Sequence, residues 1–168
     1  MSYVLNATYA SMLLLLVALG LAIVFGVMRV INLAHGEFLM LGAYGAVLVS
    51  DYVGSFWLSL LLAPLGVAAI GVVVEAGVIR HLYRRPLETI VATWGLAIVM
   101  RELVKLVAGP DYRSVTNPVP GAISVAGTDF PRYRLVVIGF VLTILVLLYL
   151  AQRLTRVGVV ARAVIANP

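Results

Sequence analysis

The feature that most constrains this chain is its series of apolar runs, each near the length needed to cross a bilayer. A helix rises about 1.5 Å per residue, so roughly 20 mostly apolar residues bridge about 30 Å of hydrocarbon. Residues 9–28, 56–79 and 135–151 read as spans of this kind. Residues 38–53 are short alone and reach span length if the polar turn at 32–37 also lies in the membrane. Residues 87–107 form the weakest span, because Glu88, Arg101, Glu102 and Lys105 interrupt it. The expected fold is therefore all-α: a polytopic transmembrane helix bundle of about five spans, forming a single domain over 1–168. The chain is 63% hydrophobic and only 11% charged. A soluble domain carries roughly 25% charge, and no soluble core of this size hides so much apolar surface.

The same numbers exclude several function classes. The net charge of +5 comes from scattered residues, not from a basic face with interleaved aromatics, so no nucleic-acid partner is expected. With no cysteine, disulfides, thiolate metal sites and a cysteine nucleophile are ruled out. No Lys or Arg precedes the first apolar run, which therefore reads as a retained helix and not as a secretory signal.

Basic residues favour the cytoplasmic ends of spans. Arg80, Arg84 and Arg85 form the densest cluster, so the third connection is placed inside. Alternation then puts Arg29, Arg153, Arg156 and Arg162 inside and the N-terminus outside. Residues 109–134 become an external loop. Its many prolines and glycines imply irregular backbone with room for a short hairpin.

Three polar interruptions hold the candidate functional residues. Asn32, His35 and Glu37 fall within six residues, at a depth where polar groups are costly unless they meet a cavity or a partner. They fit a broken helix that presents dipoles to a translocation path. They fit equally an elbow in which Asn32 caps the next helix. Farther on, Thr89 and Thr93 share a helical face, with Trp94 and Gly95 beside them. These groups could line a path for a small polar solute. Alternatively the hydroxyls bond back to their own helix carbonyls and Trp94 packs inside. Glu75 is expected to pair with Arg80 or to reach the interface, and Gly42, Ala43, Gly45 and Ala46 to allow close helix packing, with Gly42 and Ala46 as the small-residue pair. One His and one Glu two residues apart on a helix do not make a metal site, and nothing groups Ser, His and Asp as a triad. There is no glycine-rich phosphate loop, so no cofactor is expected on this chain.

The run Gly26-Val-Met-Arg-Val-Ile-Asn-Leu-Ala-His-Gly-Glu-Phe-Leu-Met-Leu-Gly-Ala-Tyr44 resembles the N-terminal signature of the branched-chain amino-acid and urea permeases of ABC importers. Arg85-Pro-Leu-Glu-Thr-Ile-Val-Ala-Thr-Trp-Gly95 is closer to the urea-type branch. The tail at 155–168 is similar to the opening of the family's cytoplasmic coupling loop, where Arg156, Gly158, Arg162, Ala163 and Asn167 match. Members are usually near twice this length, so the chain reads as an N-terminal portion. The resemblance implies a bacterial inner-membrane subunit working with a second permease subunit, two ATPase subunits that hold ATP and Mg, and an external solute-binding protein. Transport of branched-chain amino acids, urea or short amides would proceed by alternating access, with no catalytic residue. The competing readings are an intramembrane enzyme and a structural membrane-assembly subunit.

Overall fold

A computed structural model describes residues 2–28, 31–83, 85–109, 111, 113–125 and 127–154. Among these residues the chain forms five α-helices: α1 (Ser2–Met28), α2 (His35–Val53), α3 (Phe56–Gly77), α4 (Pro86–Ala108) and α5 (Arg132–Leu154). A 3-10 turn, Ile79–Leu82, joins α3 to α4. Strands β1 (Ala122–Val125) and β2 (Thr128–Pro131) pair antiparallel, with Ile123 opposite Phe130. Tyr3–Gly26, Phe56–Gly77 and Arg132–Leu154 are long and apolar enough to cross a membrane on length and composition alone. Helix α2 carries His35, Glu37 and Asp51, and α4 carries Glu88, Arg101, Glu102 and Lys105, polar residues that lower their mean hydropathy.

The chain divides into two compact units, one of α1 with 117–168 and the other of 28–116. In the first unit, the hairpin opens on Gly121 at φ +98° and turns at Gly127 at φ +76°, both in the left-handed region that favours glycine. The backbone N–H of Arg132 donates to Gly121 O at 3.1 Å and so ties the start of α5 to the foot of the hairpin. Arg134 donates to Asn6 Oδ1 and lies over the rings of Tyr9, at 5.2 Å, and Phe130, at 5.9 Å. Phe130 is almost fully buried, so this cation is held between an interior ring and α1. The hairpin falls inside the loop predicted at 109–134, whose last residues belong instead to the first turn of α5.

In the second unit, α2 and α3 form a tight antiparallel pair. Gly54 closes α2 at φ +70°, and its N–H donates to Ser50 O at 2.9 Å. Ser55 then caps α3 by accepting from Leu58 N at 3.3 Å, so two residues suffice for the turn. Pro64 lies inside α3 without ending it. The helices approach closely where a Cβ on Gly45 would sit 3.3 Å from Ala63 Cβ. Gly42 and Gly45, both expected to allow close packing, face α3. Gly42 has Val67 at 4.0 Å, while Gly45 is the residue for which no side chain fits without movement. Phe38 beside Gly71 at 3.9 Å completes an antiparallel register.

Helix α4 begins with Pro86 in its first turn, where the missing N–H has no partner to lose. It buries Thr89, Thr93, Ala97 and Met100, spaced three or four residues apart along one stripe. Ala34, Ala97 and Met100 form the buried cluster, with Phe38, Leu41 and Leu96 packed around it. This contact sets α2 and α4 running the same way, with α3 packed antiparallel on α2. Leu14, Leu65, Val72 and Leu147 are among many large apolar side chains left exposed, as expected where lipid or protein takes the place of water.

Candidate functional site

The polar residues of the α2 approach converge on α4 through one threonine. Thr93 is fully buried, and its Oγ1 accepts the Leu33 N–H at 3.2 Å. The same hydroxyl donates to Ile90 O at 3.0 Å, with Ile31 O at 3.5 Å on its other side. A non-helical segment at membrane depth must satisfy its backbone groups internally, and this side chain takes one of them. Asn32 handles another: its Oδ1 accepts from Ala34 N at 3.0 Å, closing a turn just before the helix. The expected N-cap role for Asn32 is therefore corrected. The capping position is Ala34, which makes no side-chain cap, and Asn32 acts two residues too early for it.

Glu37 sits in the first turn of α2, where a carboxylate suits the positive helix end. It is buried and accepts from Arg101 Nη2 of α4. The Arg101 side chain is 55% exposed against 10% for Glu37, so the pair lies at the edge of the helix packing. Sequence reasoning noted Arg101 only as an interruption of a span. An unpartnered acid and base in apolar helices hint at such a pair, but their separation of 64 positions hides the register that joins them. His35 lies two residues before Glu37 in the same turn, and its Nε2 is buried without a hydrogen-bond partner among the described residues.

Thr89, Thr93 and Trp94 do not share a surface. Thr89 Oγ1 bonds to Leu82 O at 2.8 Å and Arg85 O at 2.9 Å, fastening the 3-10 turn to the start of α4. Trp94 is 61% exposed on the far side of the helix, so its expected place in the interior is corrected as well. The reason is rotational: one residue beyond Thr93 turns about 100° around the axis. At this same end of the unit, Glu75 pairs with Arg80 at 3.2 Å and accepts from Tyr83 at 2.9 Å. Burial, and then the Glu75 carboxylate, push the Tyr83 phenol above its ordinary value, so it stays a donor. Arg156, Gly158, Arg162, Ala163 and Asn167 lie outside the described residues.

Beyond the Glu37–Arg101 pair, α2, α3 and α4 enclose an apolar cavity of about 500 Å³. Leu41, Leu48, Leu62, Val67, Met100 and Val104 are among its walls, and Tyr44 adds the one phenol. Such a wall offers van der Waals contact and almost no polar recognition. The polar contacts that join α2 to α4 lie instead at the seam where α2 starts.

A family model described as the permease component of branched-chain amino acid transport systems matches residues 3–168. No curated protein and no solved structure matches the chain.

Proposed function

Because the chain belongs to the family of branched-chain amino acid transport permease components, we propose that it forms part of the membrane path of an ATP-driven importer for small polar solutes. Branched-chain amino acids, urea and short amides are the candidate cargoes. The observation that carries this reading beyond the family is the Glu37–Arg101 pair. A charge pair at the edge of apolar helices is costly to desolvate, and a hydrophobic pair would hold two helices at less expense. Its position at the break before α2 fits a polar element that a solute meets. Thr93 and Asn32 hold that break in shape, and His35 leaves one buried ring nitrogen available to a solute or to a neighbouring chain.

The chain carries no phosphate-binding loop, so the energy source is assigned to two separate ATPase subunits that hold ATP and Mg. A second permease subunit and an external binding protein complete the assembly. Arg156, Gly158, Arg162, Ala163 and Asn167 are assigned to the cytoplasmic coupling segment, and the loop preceding α5 to the outer face of the inner membrane, with the N-terminus outside. Transport follows alternating access, in which closure of the ATPase pair is passed to the helices through the coupling segment.

The test is made on the full-length protein. ATPase subunits are expected to co-purify with it, and Arg162→Glu is expected to reduce solute-stimulated ATP hydrolysis severalfold. Absence of any associated ATPase would remove the importer reading. Unchanged stimulation in Arg162→Glu would remove the coupling assignment alone.

A further inference from the structure

The two sides of α4 differ in a way that the buried stripe alone does not explain. Opposite Thr89, Thr93, Ala97 and Met100 runs a second stripe, Val91, Trp94, Ile98, Glu102 and Lys105, with Arg101 on its flank. These residues recur at helical spacing and are all exposed in the chain. Val91, Trp94 and Ile98 would suit lipid. Arg101 and Glu102 would not, because ionised groups at membrane depth are costly without a partner or water, whereas Lys105 lies in the last turn of α4.

Snorkelling can carry Lys105 to the interface but does not account for Arg101. Arg101 is seven residues from the end of α4 at Ala108, about 10 Å at ~1.5 Å per residue. A lipid-facing arginine there would extend toward the nearer end. Its guanidinium instead reaches sideways to Glu37 in the first turn of α2. Glu102 and Lys105 pair with each other at 2.7 Å and remain more than half exposed. Four charges, two of each sign, thus lie within about one helical turn's height on one side of α4 and its edge.

We infer that this face of α4, from Val91 to Lys105, borders water and forms one wall of the solute path, with the Glu37–Arg101 pair at its rim. Trp94 and Ile98 supply an apolar surface along which a small solute passes. The charged pairs supply donors and acceptors that replace part of its hydration. The wall is built from the residues that α4 turns away from α2, and so it is distinct from the apolar cavity and from the threonine seam. This inference rests on the importer reading and assigns that path a place.

These 168 residues contain no cysteine, so they add no background of their own to single cysteines introduced among them; labelling is read against the complex without an introduced cysteine. In membranes holding the complete importer, Val91→Cys, Trp94→Cys, Ile98→Cys and Glu102→Cys are each exposed to a membrane-impermeant, charged thiol reagent from either side. Val73→Cys on α3 and Leu147→Cys on α5, both exposed on apolar spans, serve as lipid-facing controls. The stripe positions are expected to react at least tenfold faster than the controls, and leucine or urea is expected to slow the reaction at Trp94→Cys or Ile98→Cys. Stripe positions that react no faster than the controls would overturn the water-facing assignment. So would disulfide cross-linking of these positions to a second permease subunit. Fast labelling that neither solute slows would overturn the path assignment. Since uptake is measured on the same variants, loss of this inference with transport intact leaves the importer reading standing.

Discussion

Gly45 is a point of close approach between α2 and α3, and replacing it with valine tests the packing of the unit directly. The position for a Cβ lies 3.3 Å from Ala63 Cβ and 3.7 Å from Ala63 Cα, which already leaves no slack. Valine adds that carbon and two methyl groups beyond it. Overpacking of this kind costs about 1–3 kcal/mol. Relief from glycine's poor helix propensity returns up to about 1 kcal/mol. The net expectation for Gly45→Val is a loss of about 1–2 kcal/mol, because in lipid this contact depends on close packing and not on a hydrophobic drive. Ala63→Gly removes the atom in the way and is expected to recover part of the loss in the double variant. Gly66→Ala provides the control, since a Cβ there meets nothing within 4 Å. The assay is loss of monodisperse protein on heating in detergent, read by size-exclusion fluorescence as an apparent Tm. A Gly45→Val protein as heat-stable as the parent, or one indifferent to Ala63→Gly, would refute the register of α2 on α3.

Other perturbations address the remaining contacts. Arg101→Ala leaves the buried Glu37 carboxylate without its cation and is expected to lower the apparent Tm more than Arg101→Ala combined with Glu37→Gln; equal losses would deny the pair. Thr93→Val deprives Leu33 N of its acceptor and is expected to cost about 1–2 kcal/mol, while Thr93→Ser retains it; the two variants are compared by apparent Tm and by solute uptake. Gly54→Ala forces a Cβ into a left-handed C-cap and is expected to destabilise the α2–α3 turn by about 1 kcal/mol, measured in the same heating assay.

Much of the architecture was legible in the sequence because lipid imposes a simple rule on length and polarity. The three strongest apolar runs became α1, α3 and α5, and Pro86 marked the start of α4. The predicted limits fell short mainly where apolar residues continue past the densest run, as at Tyr3, Val4 and Leu5, which extend α1 to Ser2. The polar stretch at 32–37 was recognised as a break, yet its internal bonding was not. Asn32 bonds to Ala34 and Thr93 receives Leu33 because of how α2 docks on α4, and no local pattern encodes that docking. The same holds for Arg101, whose partner lies on a different helix. Trp94 followed Thr93 in sequence and was placed with it, whereas helical rotation sends the two to different sides. Gly42 and Gly45 were read as packing residues and both face α3, but that Gly45 makes the tighter contact depends on which residue of α3 stands opposite.

The central claim is that this chain helps to form the path of an energised importer. It is tested most directly by accumulation of labelled leucine and labelled urea in proteoliposomes holding the full-length protein with its permease partner, ATPases and binding protein. The account predicts accumulation of at least one of the two solutes that requires ATP and falls severalfold in Arg101→Ala protein reconstituted in equal amount. Accumulation of neither solute, or passage that proceeds equally well without ATP, would contradict it.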